Sequence, residues 1–217
     1  MKRIALFFVT LLLSLSLSMG LSLNAYAAPK FVEGEHYRVF SNAGSTKPVV
    51  TEYFSFYCPH CYRFEGAIKQ IKKDLPAGVK FQKNHVDTTR LGPADMQKSL
   101  SLALAVIDKM KLGQKLTTAI FEYMHKGKDK KKFKTVADIR QLFVANGVDG
   151  KAFDKAMKNF SVKIAAKRMA KGWLDLPSDI RQIGVPSITV NDKYWINAKK
   201  LNGKADYKAI IEYLTAL

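Results

Sequence analysis

Two cysteines, Cys58 and Cys61, are the only ones in 217 residues, and only Pro59 and His60 separate them. The run Val49 to Tyr57 before them is β-branched and aromatic on both parities, as in a central strand covered on both faces. A helical pattern follows, with Phe64, Ala67, Ile68 and Ile71 at helical spacing as far as Pro76-Ala77-Gly78. Cys58 therefore stands at a strand-to-helix junction. Unpaired backbone N–H groups and the helix dipole favour negative charge there. A thiolate is the nucleophile of disulfide chemistry, so this placement makes Cys58 reactive rather than merely buried. Pro59 suits the first helical position because it lacks the N–H that would go unpaired.

The use of cysteine narrows the chemistry. A Cys58–Cys61 bridge closes almost no loop and constrains the unfolded chain little, so its value lies in chemistry. Zinc is the rival, but it asks for four ligands. There is no second cysteine pair, and His36, His85 and His125 are scattered, so no metal is expected.

The start of the chain reads as an export leader. Lys2 and Arg3 precede an apolar stretch from Ile4, and Ala25-Tyr26-Ala27 supplies a small-x-small cleavage pattern. Cleavage after Ala27 is expected, with an uncleaved anchor over Ile4 to Leu23 as the competing reading. The mature chain of about 190 residues suits one domain, or a domain with an insertion. The formal charge is +18, and +16 without Lys2 and Arg3. Export argues against nucleic acid as the reason. Anionic lipid headgroups, acidic substrates or a plain solvated surface remain.

Further along, Tyr37 to Phe40 reads as a short first strand and Val79 to Val86 as a strand parallel to Val49–Phe56. From Pro93 to about Asp175 the spacing is helical. Five stripes are marked by Leu100/Leu104/Ile107, Leu116/Ile120/Tyr123, Val136/Ile139/Phe143, Phe153/Ala156/Met157 and Val162/Ala166/Met169/Trp173. Breaks fall at Gly113, Gly127, Asn146-Gly147 and Asn159, and six lysines between Lys126 and Lys134 read as a solvated loop. A hairpin, Ser187–Val190 and Lys193–Ile196, turns at Asn191-Asp192, and a closing helix covers Ala205 to Thr215. The expected fold is α/β: a mixed sheet with an inserted all-helical domain.

Cys-x-x-Cys after a strand in a βαβ context resembles the thioredoxin superfamily. Cys58-Pro59-His60-Cys61, its flanks Phe54-Ser55-Phe56-Tyr57 and Tyr62-Arg63-Phe64-Glu65, Leu75-Pro76-Ala77-Gly78-Val79 and Gly184-Val185-Pro186 resemble the DsbA family in particular. The resemblance covers about Phe31 to Leu217 and implies a thioredoxin fold over 28–90 and 178–217, with a helical domain inserted at 91–177. It implies a periplasmic thiol:disulfide oxidase with no cofactor beyond its own disulfide. Reduced exported proteins would be its substrates, a membrane DsbB-type quinone reductase its reoxidant, and a monomer its state.

The resemblance also assigns roles. Cys58 is the exposed, attacked sulfur and Cys61 the buried leaving sulfur. His60 donates to the Cys58 thiolate. Pro186 is a cis-proline facing the pair, and Val185 is the substrate-pairing position. Glu52, costly in an apolar strand unless partnered or protonated, pairs with Lys83 and tunes proton transfer at Cys61, the alternative being a surface pair of no consequence. Pro177 departs from the family's long returning helix, so a break near Asp175 and a short helix from Pro177 to Gln182 are expected. An isomerase or reductant on the same fold, a peptide-binding module and a specialised oxidase for acidic substrates are the rival functions. The isomerase lacks room for a dimerisation domain between Phe31 and Phe40.

Overall fold

The central element is the strand that precedes the cysteines, and its two neighbours differ in direction. In the computed structural model, which describes residues 30–127 and 132–217, five strands form one sheet. They are β1 (Tyr37–Val39), β2 (Val49–Phe54), β3 (Lys80–His85), β4 (Ser187–Val190) and β5 (Tyr194–Ile196). Their spatial order is β1-β5-β4-β2-β3. β2 runs parallel to β3, with Glu52 opposite Lys83, and antiparallel to β4, with Glu52 opposite Ile188. The sheet is therefore mixed, as the sequence pattern implies.

Helix α1 (Pro59–Lys73) supplies the crossover between the parallel strands. Five helices fill the span from β3 to Pro177: α2 (Ala94–Lys109), α3 (Gly113–His125), α4 (Val136–Ala145), α5 (Gly150–Lys158) and α6 (Phe160–Leu174). The short α7 (Ser178–Ile183) leads into β4, and α8 (Lys204–Ala216) closes the chain. Local chemistry sets these limits. Thr135 and Asp138 form a capping box at the start of α4, and the side chains of Asp149 and Asn159 cap α5 and α6. Pro177 stands at the N-cap of α7, so the helical path breaks between Asp175 and Ser178 where a proline cannot continue it. Asn191 and Asp192 both take positive φ, 53° and 49°, and the Lys193 N–H closes the turn on the Val190 carbonyl at 3.1 Å. These two residue types tolerate that conformation, which is why a pair without glycine serves this hairpin.

The two faces of the sheet bury different sets. Val50, Ile188 and Val190 pack with Ile68 and Ile71 of α1 and with Ile210, Ile211 and Leu214 of α8. Tyr53, Trp195 and Val86 pack with Trp173, Leu176 and Ile180 of the α6–α7 bend. The largest cluster joins Phe54, Phe56 and Cys61 to the inserted helices through Leu100, Ile120 and Phe121. Four of the five stripes read from the sequence turn inward. The α4 stripe is corrected at its start: Val136, the first residue of α4, is 43% exposed, and only Ile139 and Phe143 bury. The leader read at 1–27, and Lys128, Lys130 and Lys131 of the lysine loop, lie outside the described residues.

Candidate active site

β2 ends at Phe54, and the next four residues make the turn that presents the cysteines. Cys58 N–H donates to the Ser55 carbonyl at 3.0 Å, and Tyr57 N–H to the Ser55 hydroxyl at 3.3 Å. His125 of α3 reaches across to the Phe56 carbonyl at 2.7 Å and stacks on Tyr62, with ring centroids 5.4 Å apart. The inserted helices thus hold the loop that carries the thiols. Cys58 is the N-cap of α1, and its Sγ accepts the Cys61 backbone N–H at 3.3 Å.

Both cysteines are free thiols, and their environments pull them apart. The Cys58 thiol is lowered to about 6 by the Cys61 side chain, then by the Cys61 and His60 backbone N–H groups and the His60 charge, against an opposing effect of burial. Burial pushes the Cys61 thiol far up, and the neighbouring Cys58 and Glu52 add to it. The pair is therefore one poised thiolate and one thiol that holds its proton.

Two expectations need correction here. Cys58, expected to be the exposed sulfur, is itself only 3% accessible. The Val185 carbonyl, 3.5 Å from its Sγ, and the cap geometry that tucks the sulfur over the helix end cover it, although it still lines the groove described below. His60, expected to donate to the Cys58 sulfur, instead has its Nδ1 2.8 Å from Arg63 Nη2. A guanidinium can only donate, so this ring nitrogen is an acceptor and the imidazole leans along the exposed side of α1. Backbone N–H groups occupy the sulfur in its place.

Beneath the helix lies a buried charged cluster. Glu52, fully buried on β2, meets Lys83 Nζ at 2.6 Å, and the same ammonium meets Glu65 of α1 at 2.6 Å. Gln114 of α3 donates to the other Glu65 oxygen at 2.7 Å, and Lys83 sits 4.3 Å from the centroid of the Phe54 ring. Burial raises Glu52 to about 7, the Lys83 charge opposing and the Glu65 charge assisting. Burial acts to lower Lys83, but the two carboxylates outweigh it and leave the ammonium above its ordinary value. Glu52 Oε1 has no hydrogen-bond partner among the described residues, which fits a carboxyl near its protonation point. The pair is an interior one rather than a surface pair. The sequence reading did not single out Glu65, although its spacing from Cys61 and Ile68 places all three on the buried face of α1.

The Val185–Pro186 peptide is cis, and Val185 lines two grooves, the first of which also holds Cys58. One, of about 1040 Å³, includes Cys58, Arg90, Leu91, Trp173, Leu174 and Arg181 in its walls. The other, of about 740 Å³, includes Phe64, Pro186, Trp195 and Tyr207. His60, Ile183 and Val185 line both. Leu91, Leu174 and Ile183 are each about half exposed at these rims. Among the described residues no cluster of His, Cys, Asp and Glu could hold a metal ion.

A dithiol at a helix N-terminus, set in a mixed sheet with one poised thiolate, defines a thiol:disulfide oxidoreductase of thioredoxin fold. A family model described as the DSBA-like thioredoxin domain matches residues 49–209, and the chain belongs to that family. It is 37% identical over 187 residues to the thiol:disulfide interchange protein DsbA of Salmonella typhimurium, covering 85% of this chain and 84% of the relative. Against the protein of the same name from Escherichia coli K12 it is 33% identical over 205 residues, covering 93% and 89%. Among solved structures, the disulfide oxidoreductase DsbA of Proteus mirabilis aligns with a TM-score of 0.74 at 26% identity, covering 86% of this chain and 98% of that one.

Proposed function

We propose that this protein is a periplasmic disulfide oxidase, exported by a leader cleaved after Ala27 and working as a monomer with no cofactor but the Cys58–Cys61 disulfide. The observation that carries the reading is the asymmetry of the pair: Cys58 lowered to about 6, Cys61 pushed far up. Stabilising one thiolate stabilises the reduced protein, so the oxidised protein gives its disulfide away readily.

The chemistry balances as two exchanges. A substrate thiolate attacks Cys58 Sγ, forming a mixed disulfide, while the Cys58–Cys61 bond breaks and Cys61 leaves as a thiolate that takes up a proton. The substrate's second thiolate then attacks its own sulfur in the mixed disulfide, and Cys58 leaves as a stable thiolate. Two electrons pass from the substrate dithiol to the protein. A membrane quinone reductase of the DsbB type takes them back and restores the disulfide.

Each residue has a part in this reading. Val185 offers backbone to a substrate strand beside Cys58, with Pro186 behind it. Pro59 and His60 shape the rim. Glu52, with Lys83 and Glu65, handles the proton that Cys61 gains and loses. The thioredoxin-like part spans 28–90 and 178–217, and 91–177 is the insertion that braces the active-site loop. The Proteus mirabilis DsbA has been crystallised with a non-covalently bound peptide, PWATCDS, which supports peptide capture by the two grooves.

Equilibrating the purified protein with glutathione tests the reading. The pair should remain reduced until the buffer is strongly oxidising, and thiol trapping in intact cells should find it mostly oxidised. A mostly reduced pair in cells would point to a reductase or isomerase instead.

A further inference from the structure

The groove beside Cys58 has a charge pattern that the exchange chemistry does not use. Among the described residues its walls carry two guanidinium groups, Arg90 and Arg181, and no carboxylate. Arg181 is fixed in place, its Nε donating to the Leu176 carbonyl at 3.0 Å, and its other guanidinium nitrogens have no partner among the described residues. Arg90, exposed on the loop after β3, forms no ion pair among the described residues. Of the carboxylates nearest in sequence to this wall, Asp175 is held by Lys171 at 2.6 Å and Asp179 by Arg38, while Asp87, partly buried between Val86 and Thr88, does not line the groove. Two guanidiniums without a carboxylate partner among the described residues, lining the groove that also holds Cys58, form a site for a carboxylate.

The neighbouring surface says what would bring one. Leu91, Leu174 and Ile183 are half exposed on the same rim, and Val185 joins this groove to the second one. An extended segment whose cysteine lies over Cys58 would cross Val185 and lay one flank among these apolar and cationic side chains. We infer that Arg90 and Arg181 select substrate segments bearing an aspartate or glutamate beside the reacting cysteine. This rests on the oxidase reading for its meaning but not for its measurement. It also gives part of the +18 charge of the chain a specific task.

The test is binding to short peptides in which serine replaces the cysteine, so that no exchange occurs, with aspartate, asparagine or lysine flanking that serine. Quenching of Trp173, which lines the groove, is the readout. At low salt the aspartate peptide should bind roughly fivefold to tenfold more tightly than its asparagine twin, as two partly exposed charge contacts allow. That ratio should fall towards one in Arg90→Gln/Arg181→Gln and as salt rises. Arg90→Glu, a change on an exposed loop that costs no described contact, should shift the preference to the lysine peptide, which decides the matter if the double variant folds poorly. Equal binding of the aspartate and asparagine peptides overturns the inference. So does a preference that survives the double variant, since it would then come from the overall charge. Failure to oxidise the cysteine versions while the serine preference holds would sink the oxidase reading and leave this one standing.

Discussion

Cys58 Sγ lies 3.5 Å from the carbonyl oxygen of Val185, which follows it by 127 residues. Only the protonated thiol can donate across that gap. Ionisation or oxidation of Cys58 removes the donor and leaves the carbonyl unpaired. On the oxidase reading proposed above, this frees the backbone acceptor in the state that receives a reduced chain.

The ionisation of Cys58 sets the pH dependence of the redox potential. Below about pH 6, the value of Cys58, reduction takes up two protons with two electrons, and the potential should fall by about 59 mV per pH unit. Above it Cys58 stays ionised and only Cys61 takes a proton, so the slope should halve to about 30 mV per pH unit. The same shift acts on stability. The value is depressed from 9.0, so the gain for the reduced fold is complete above pH 9, shrinks below it and is lost as pH falls through about 6. Urea unfolding of the reduced and oxidised forms across this range checks it, and a single slope throughout would contradict the assignment.

His60 and Arg63 give a second expectation. The neutral imidazole is held by Arg63 and makes no hydrogen bond to Cys58; only its protonated form adds a charge that lowers the thiol, the smallest of the causes, while backbone N–H groups do the close work. His60→Ala should therefore raise the Cys58 thiol above about 6 without returning it to 9.0. Titrating the thiolate by its ultraviolet absorbance measures this. A complete return would show that the side chain, not the helix end, stabilises the anion.

Glu52 carries a prediction of opposite sign. Its carboxyl is raised to about 7 by burial, so its contribution to stability is present below pH 4.5 and lost as pH rises through 7. Glu52→Gln removes the ionisation while Lys83 keeps Glu65 at 2.6 Å. The variant should gain on the wild type by on the order of 1–3 kcal/mol at pH 8 relative to pH 5. Unfolding at the two pH values decides it, and a pH-independent difference would mean that Glu52 is ionised throughout.

How much of this was legible in the chain follows from the range of each signal. The dithiol, its helix end and the break at Pro177 are local, set by residues within one turn of each other. A glutamate inside the apolar β2 called for a partner, but Lys83 as that partner came from the family resemblance, since the register that sets Glu52 opposite Lys83 is not written in either strand. Glu65 escaped because a glutamate on an amphipathic helix reads as solvated, and only its alignment with Cys61 and Ile68 gave it away. The contact of Cys58 with Val185 was reachable only through family resemblance, because no spacing encodes a meeting across 127 residues. Arg90 and Arg181 carried no signal at all: they share a wall only once α7 has turned back along the loop after β3.

Gly92 offers a test of how tightly that loop supports the thiols. Its φ is ordinary, so the constraint is space: a Cβ there would lie 2.5 Å from the Tyr57 ring. Tyr57 is buried, its hydroxyl has no partner among the described residues, and it directly precedes Cys58. Gln97 ties down the same loop by donating to the carbonyls of Thr89 and Gly92 at 2.7 and 2.8 Å, so the loop cannot retreat cheaply. Either the ring or the loop must move. Gly92→Ala should cost about 1–3 kcal/mol of stability, the usual range for overpacking. If the ring yields, the turn that presents Cys58 shifts, and the thiol should rise above about 6 in the same titration. If the loop yields, Arg90 and Leu91 are displaced and the groove wall changes while the thiol does not. A variant as stable as the wild type, with an unchanged thiol, would show that the contact between Gly92 and Tyr57 is looser than the structure places it.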